Sequence, residues 1–293
     1  MGSEMCIRDS MKSAKTKKKV GSIIIYVIKI IVAIIMFFPI IWIFSGGFKT
    51  LTEFTTSCNF IPKNFTLENY AYIFLHSNLL LYVRNTVLLM LGTTAGTLIS
   101  SSLVAYPLAR MDFKGKKVIF SIIIATMMIP NIALIIPQYI MFGKIGWLDS
   151  LLPMIIPACF AYPYNVFLFR QYFRSIPKEL DESATIDGCT KAQIYFKVLV
   201  PLSRPTFVTI GILSCVFWWN ELTQPVFYIN SDTWRTLTMA LMTTFMYTAG
   251  NAFVINWPSI MAASTLMIIP PMVLYFCGSK YLVGGIKTTG LKG

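Results

Sequence analysis

The sequence predicts an all-α integral membrane protein built on six transmembrane helices. Three observations carry that expectation. Hydrophobic residues make up 56% of the chain and charged residues only 13%, with a mean hydropathy of +0.67; soluble domains run at about 45–50% apolar and about 25% charged. Six apolar stretches are each long enough to cross a hydrocarbon layer. The lysines and arginines gather in the connections between them and favour one side. The same composition excludes a soluble two-domain protein, a disordered chain and a collagen-like one. The six cysteines are scattered without a C-x-x-C pair, which argues against a disulfide scaffold. His76 is the only histidine, so a multi-histidine metal site is impossible. A net charge of +13 raises nucleic acid as a partner, but the basic residues sit in short clusters between apolar stretches, which is the pattern of loops on one face of a membrane.

Residues 1–10, MGSEMCIRDS, do not read like the rest. Met5–Ser10 is what the end of a common sequencing-library transposon encodes when translated in frame. The segment is therefore expected to be non-native, with Met11 as the start, and it is set aside in reasoning about the fold. Raw reads showing uninterrupted native sequence across the junction would overturn this. The rest divides into a basic tail at 11–19, a six-helix domain at 20–278 with a long loop at 174–204, and a tail at 279–293.

The first span, Val20–Phe44, is too long for a signal-peptide core and has no A-x-A-like site after it. Lys29 near its inner end is placed to snorkel to the interface, and Pro39 is tolerable where neighbouring helices re-satisfy the backbone. The second span lies within Leu79–Leu108, and its Gly92 and Gly96 form a G-x-x-x-G that reads as helix packing. The third, Val118–Phe142, is expected to be broken by Pro130 and Pro137. The fourth is Leu151–Phe173, the fifth Thr206–Tyr228, and the sixth Ile260–Cys277 with Pro270 and Pro271 inside. Six spans put both termini on one side. The N-tail, the 109–117 loop, the 170–204 loop and the C-tail together hold eighteen lysines and arginines, against Lys49, Lys63, Lys144 and Arg235 in the opposite loops. The positive-inside rule places the richer side, with both termini, in the cytoplasm.

The 170–204 loop carries the most local information. Pro177 suits a helix start, where its missing N–H costs nothing. Glu179, Asp181 and Glu182 crowd the first turns, favoured by the positive end of the helix dipole. Gly188 stops that helix by adopting a left-handed conformation. Thr190 and Gln193 have capping-box spacing and open a second helix, which Pro201 is expected to end. Ile176, Leu180 and Ala184 recur at intervals of four and read as one apolar stripe. A plain amphipathic helix at the membrane interface would show the same features.

Glu182-Ser183-Ala184, then Gly188, then Val198-x-Val200-Pro201 resembles the pattern E-A-A-x3-G-x9-I-x-L-P of the inner-membrane permease subunits of ABC importers. Ser183 stands for the first alanine and two valines for the isoleucine and leucine; Asp187-Gly188 fits the commoner form of the turn. Thr66–Tyr70, Ala105-Tyr106-Pro107-Leu108-Ala109-Arg110, Trp219-Asn220-Glu221 followed by Pro225, and the glycine-rich end Tyr281–Gly293 resemble the carbohydrate-uptake branch, similar to the six-span maltose-type subunit. Pro107 departs from the alanine common there. The resemblance covers roughly 20–293.

The resemblance implies a type I importer (MetI-like) permease fold in a bacterial cytoplasmic membrane, with the 182–201 element as a coupling helix–turn–helix. Glu182, Ser183, Ala184, Asp187, Gly188 and Pro201 are the residues it assigns to contact with an ATPase. The C-terminal tail, with Gly285, Lys287 and Gly290, is implied to reach the ATPase as well; a disordered, weakly basic tail is the alternative. No G-x-x-x-x-G-K-[ST] occurs in the chain, so it has no phosphate-cradling loop. ATP and magnesium are then expected on partner chains and no cofactor on this one. The implied partners are a second permease forming a heterodimer, two cytoplasmic ATPases, an extracytoplasmic substrate-binding protein and the lipid bilayer.

Polar residues inside the spans are open to two readings. Asn220 and Glu221 lie in the outer half of the fifth span, where a carboxylate faces the bundle interior or a wet cavity; lining the pathway and interhelical or interfacial hydrogen bonding fit equally. Asn131 and Asn165, with Asn85, Gln138 and Gln224, are candidates to contact a polyol or to bind helices together. Trp218, Trp219, Phe217, Tyr162 and Tyr164 could stack on sugar rings or mark membrane interfaces. A transporter for glycerol phosphate or another non-sugar solute keeps the same architecture. An intramembrane enzyme would need paired carboxylates, a Ser/His pair or H-E-x-x-H, and the sequence has none of these in its spans.

Overall fold

The computed structural model describes residues 2–243 and 255–290, with side chains at 22–75, 77–242 and 255–281. In chain order the helices are α1 (Gly2–Gly47), α2 (Leu51–Thr56), α3 (Glu68–His76), α4 (Leu79–Arg110), α5 (Lys116–Thr126), α6 (Asn131–Lys144), α7 (Leu152–Ala158), α8 (Pro163–Ser175), α9 (Glu179–Ile186), α10 (Lys191–Gln193), α11 (Val200–Leu202), α12 (Arg204–Asn220), α13 (Thr223–Tyr228), α14 (Leu237–Thr243) and α15 (Trp257–Gly290). A π-helical stretch, Ile194–Leu199, joins α10 to α11, and a 3₁₀ turn, Asp232–Trp234, lies between α13 and α14. Among the described residues there is no strand.

Four helices are long and apolar enough to cross a membrane: Ser22–Gly47, Leu79–Arg110, Leu152–Ser175 and Trp257–Tyr281. Two bent pairs, Lys116–Thr126 with Asn131–Lys144 and Lys191–Leu202 with Arg204–Asn220, raise the number to six if each pair is one span. The expected spans therefore all fall on helices, but several are not straight. The third bends by 92° at Pro130, whose extended ψ of 126° leads into α6; Pro137 is carried inside α6 without a break. The fourth is interrupted at 159–162, just before Pro163, which holds Tyr162 extended. Ser100 Oγ accepts the Ala161 N–H at 3.0 Å and Ser101 Oγ accepts the Tyr162 N–H at 2.9 Å. Two serines of α4 thus supply the partners that the broken backbone lacks, as an apolar surround requires.

The fifth span was expected to reach Tyr228, yet α12 stops at Asn220 and Glu221 is extended. Pro225 explains the stop: it has no N–H to give to the Glu221 carbonyl, and its ring would strike that oxygen in a continuous helix. The sixth runs longer than expected, from Trp257 to Gly290 through Pro270 and Pro271. The segment with Gly285, Lys287 and Gly290 continues the backbone of this helix, and its side chains lie outside the described ones.

The chain forms two units, Met1–Ala71 with Asn256–Thr265, and Tyr72–Ile255 with Leu266–Gly293. In the first, Ile23–Phe38 of α1 leave their large apolar side chains 46–67% exposed. Glu53 organises the connection after α2, its carboxylate accepting the N–H of Lys63 at 2.7 Å and of Asn64 at 3.0 Å. These two bonds hold its carboxyl below the usual carboxylate range. Asn69 closes the end of α1 by donating to the carbonyls of Gly47 (3.0 Å) and Lys49 (2.8 Å).

The second unit is organised on α4. Around its C-terminal half lie Ala105, Tyr106, Leu108 and Ala109 with Val166, Phe169, Phe173, Tyr195, Leu199 and Ile210. Around its N-terminal half, Leu89 packs in a cluster with Phe142, Leu151, Met154, Trp218, Tyr228 and Met239. The G-x-x-x-G of this helix is a packing motif, as its spacing predicts. A Cβ on Gly96 would lie 2.6 Å from Cys159 Sγ, and one on Gly92 would lie 3.2 Å from Ile155. Gly96→Val is therefore expected to cost about 2 kcal/mol through overpacking, read as a lower thermal midpoint of the purified protein. An unchanged midpoint would refute the close approach of α4 and the 152–159 segment.

Candidate functional site

The 174–204 loop is a helix–turn–helix, as its capping residues predict. Ile176 is extended, as a residue before Pro177 must be, and α9 opens with Glu179, Asp181 and Glu182 in its first turn. Gly188 ends α9 at φ +80°. Its N–H goes to Thr185 O at 3.1 Å and the Cys189 N–H to Ala184 O at 2.9 Å, the pair of bonds that defines a Schellman cap. The Thr190 hydroxyl then accepts the Gln193 N–H at 3.3 Å while the Gln193 side chain accepts the Thr190 N–H at 2.8 Å, so the capping box is complete.

Pro201 does not end the second helix. It sits at the start of α11, and the helix continues to Leu202. Its ring would collide with the carbonyl four residues back in an ordinary α-helix. The π-helical turn Ile194–Leu199, closed by the Val200 N–H on Tyr195 O, widens the chain where that conflict arises. The break comes at Ser203, beyond which α12 departs at 74°.

The buried stripe of α9 also differs from the expected one. Ala184 is 9% exposed, but Leu180 is 41% exposed. Asp181 faces inward in its place, its carboxylate 3.5 Å from Arg110 Nε at the end of α4. A repeat of four drifts off a 3.6-residue helix, and Asp181 with Ala184 holds one face better than Leu180 does. Turned outward are Glu179, Leu180, Glu182, Ser183 and Ile186, the last 86% exposed. Asp187 and Gly188 are exposed as well. The second half is anchored: Ile194, Tyr195 and Leu199 are buried, Tyr106 OH donates to Lys191 O at 3.0 Å, and the hydroxyls of Ser102 and Tyr195 lie 2.7 Å apart. The result is a short surface helix with an acidic and apolar outer face, held against one long helix.

The in-span polar residues do not gather into one site. Asn165 is buried and donates to Thr97 Oγ1 on α4 at 3.3 Å. Asn85 is fully buried and donates to the carbonyls of Thr233 (2.9 Å) and Arg235 (3.0 Å). Gln138 accepts from Tyr228 OH at 2.9 Å. Asn220 is exposed and turns back on Val216 O, while Glu221 accepts the Gln224 N–H at 3.0 Å and so starts α13. Asn131 is exposed at the first turn of α6. Among the described residues no three His, Cys, Asp or Glu side chains are grouped to hold a metal.

Sequence reasoning passed over Asp149, although a charged residue in a short loop between turn formers was there to be noticed. It sits at φ +58°, gives its N–H to Tyr228 O at 2.8 Å, and its carboxylate accepts the N–H groups of Ser231 (2.8 Å) and Asn230 (3.0 Å). The Ser231 bond first, then burial opposing it and the Asn230 bond, leave the carboxyl below its usual range. A group depressed in the folded state stabilises above its unfolded pKa and stops doing so as pH falls through the folded value. Asp149→Asn, which keeps the tolerance for this backbone conformation and removes the charge, is expected to lose about 1 kcal/mol at neutral pH, after allowing for solvent screening. The difference from the parent protein should vanish under strong acid, and a gap that persists there would sink this account.

Comparison with known proteins gives the setting for this geometry. Residues 96–288 match the family described as "Binding-protein-dependent transport system inner membrane component". The chain is 32% identical, over 284 residues, to the arabinooligosaccharides transport system permease protein AraQ of Halalkalibacterium halodurans, covering 94% of this chain and 100% of that one. It is 31% identical to the melibiose/raffinose/stachyose import permease protein MelC of Bacillus subtilis, over 97% of this chain and 100% of that one. Among solved structures it is similar to a chain of a bacterial ABC transporter involved in the import of the acidic polysaccharide alginate. That likeness has a TM-score of 0.80 and 25% identity, and covers 90% of this chain and 97% of the other.

Proposed function

We propose that this chain, which belongs to the family of binding-protein-dependent transport system inner membrane components, forms with a second permease the pathway by which a sugar or oligosaccharide enters the cell. It is a non-catalytic permease subunit of an ABC importer. The relatives named for arabinooligosaccharides and for melibiose, raffinose and stachyose support the substrate class. The observation that carries the mechanism is the exposed, rigidly capped α9. Glu182, Ser183, Asp187 and Gly188 lie on its open side and end, while Ala184 seats it from below. Such a helix fits a groove on a cytoplasmic ATPase, and Pro201 shapes the segment that returns from it to the membrane.

Two ATPases bind ATP and magnesium, close, and push the paired α9 helices. The spans rearrange by rigid-body motion between outward-open and inward-open states. A loaded binding protein docks on the outer connections at 46–78 and 229–257, of which 244–254 lie outside the described residues. Both termini face the cytoplasm by the lysine and arginine asymmetry. Gly285, Lys287 and Gly290 extend toward the ATPase, and Asn131, Asn165, Asn220 and Glu221 are assigned as candidates to line the pathway.

The test is co-purification of the chain with the products of its neighbouring genes, then ATPase and uptake assays in lipid with the neighbouring binding protein. The expected result is a complex holding a second permease and an ATPase, stimulated by one class of saccharide. Glu182→Lys is expected to insert normally and to cut uptake at least tenfold, because a lysine reverses the charge offered to the groove. A complex stimulated only by a non-sugar solute would overturn the substrate class, and normal uptake by Glu182→Lys would overturn the role of α9.

A further inference from the structure

The covalent links of α9 to its flanking spans are poor levers. On one side Ile176, before Pro177, is extended. On the other lie the Gly188 turn, a π-helical stretch and the 74° bend at Ser203. Lateral contacts to α4 are shorter and straighter. Arg110 Nε lies 3.5 Å from Asp181 Oδ2, with the two side chains only 3% and 18% exposed. Arg110 Nε and Nη2 and Asp181 Oδ1 have no hydrogen-bond partner among the described residues, so the two side chains meet as an ion pair held by charge alone. The Tyr106–Lys191 and Ser102–Tyr195 bonds add two more fastenings on the same helix. Arg170 Nε donates to Leu108 O at 3.0 Å and braces the last turn of α4 beyond Pro107.

The other end of α4 is fastened just as closely. Asn85 holds the carbonyls of Thr233 and Arg235, and Thr86 Oγ1 accepts the Leu237 N–H at 2.9 Å. Asn85 and Arg110 stand about 37 Å apart along one α-helix at 1.5 Å per residue. One helix therefore grips the 174–204 loop at one end and the 229–237 connection at the other.

We propose that Arg110 and Asp181 are positioning residues whose buried ion pair makes α4 the strut that carries movement of α9 to the outer connection at 229–237. The ion pair passes a push on α9 to the end of α4. A packed helix moves as a body rather than bending, so the outer connection held by Asn85 and Thr86 moves with it. By reciprocity, a partner docked on that connection alters the position of α9. The inference rests on the importer reading above and assigns its transmission to specific side chains.

The experiment uses the complete transporter in lipid and measures substrate imported per ATP hydrolysed, with complex yield and thermal midpoint alongside. Arg110→Gln is expected to retain bound, hydrolysing ATPase while uptake per ATP falls about tenfold, the scale of a typical coupling energy. Exchanging the charges, Arg110→Asp with Asp181→Arg, is expected to restore most of the ratio. A merely structural role would instead move yield and midpoint together with uptake. Thr86→Val is expected to lower stimulation by the binding protein at unchanged complex yield. If Arg110→Gln fails to accumulate, Tyr195→Phe, which removes one hydroxyl and is expected to lower the ratio, decides the matter. A parental ratio in Arg110→Gln, an exchanged pair as poor as the single variant, or, where Arg110→Gln does not accumulate, a parental ratio in Tyr195→Phe would overturn the proposal while leaving the importer reading intact. Unmodified protein that recruits no ATPase would overturn the importer reading, and this inference with it.

Discussion

Gly188→Pro is expected to abolish substrate uptake, by about a hundredfold or more, while the protein still inserts in the membrane. The turn after α9 holds φ at +80°, and proline is locked near −65°. Proline also removes the N–H that reaches Thr185 O at 3.1 Å, and the Cys189–Ala184 bond of the same cap depends on that geometry. With the cap gone, α9 no longer leads into the Thr190 box at a fixed angle, and its outer face loses its aim. For alanine no neighbour interferes, because a Cβ at this position would meet nothing within 4 Å. Gly188→Ala therefore isolates backbone strain, costs about 1 kcal/mol and should leave partial uptake. Radiolabelled uptake and ATP hydrolysis by the two variants, side by side, measure this. Full uptake by Gly188→Pro would show that the turn does not set the coupling geometry.

Asn85→Leu carries the largest expected loss of stability. The amide is completely buried and its Nδ2 serves two backbone carbonyls, those of Thr233 and Arg235. Leucine keeps the branched four-atom skeleton, is bulkier and has no donor, so both carbonyls lose that bond in a dry setting. Leaving buried polar groups unmade costs about 1–3 kcal/mol each, which gives about 3 kcal/mol for the pair with some relaxation. The measurement is thermal unfolding in detergent or nanodiscs, with proteolysis near 231–237 as a local probe. A parental midpoint would mean that water replaces the lost donor and that Asn85 is not a structural tie.

Legibility in the sequence followed the range of the interaction concerned. The end of α9 was legible because only glycine takes a left-handed turn cheaply, and the start of α10 because Thr190 and Gln193 lie within reach of each other's backbone. Asp181 was legible as a charge in a first helical turn, but its partner Arg110 was not, since the two come from separate elements of the chain. The same holds for Asn165, read as open between pathway and packing, whose amide meets Thr97 on a different helix. The prolines show the limit most plainly. Pro130 bends the chain, whereas Pro137 and Pro201 are absorbed into helices. Local sequence states that each proline removes a donor, and the surroundings decide whether the backbone can do without it.

By itself the sequence determined which six segments are apolar, the asymmetry of charge between alternate loops, and the capped helix–turn–helix with its acidic start. Each of these follows from hydropathy, from charge or from hydrogen bonds spanning a few residues, and none needs a distant partner. Tertiary structure alone decided which buried polar groups bind helix to helix, where Ser100 and Ser101 repair a broken span, and that Asp181 rather than Leu180 turns inward. Those outcomes depend on which surfaces meet, because a buried donor, acceptor or charge must find its partner wherever the fold brings one within reach.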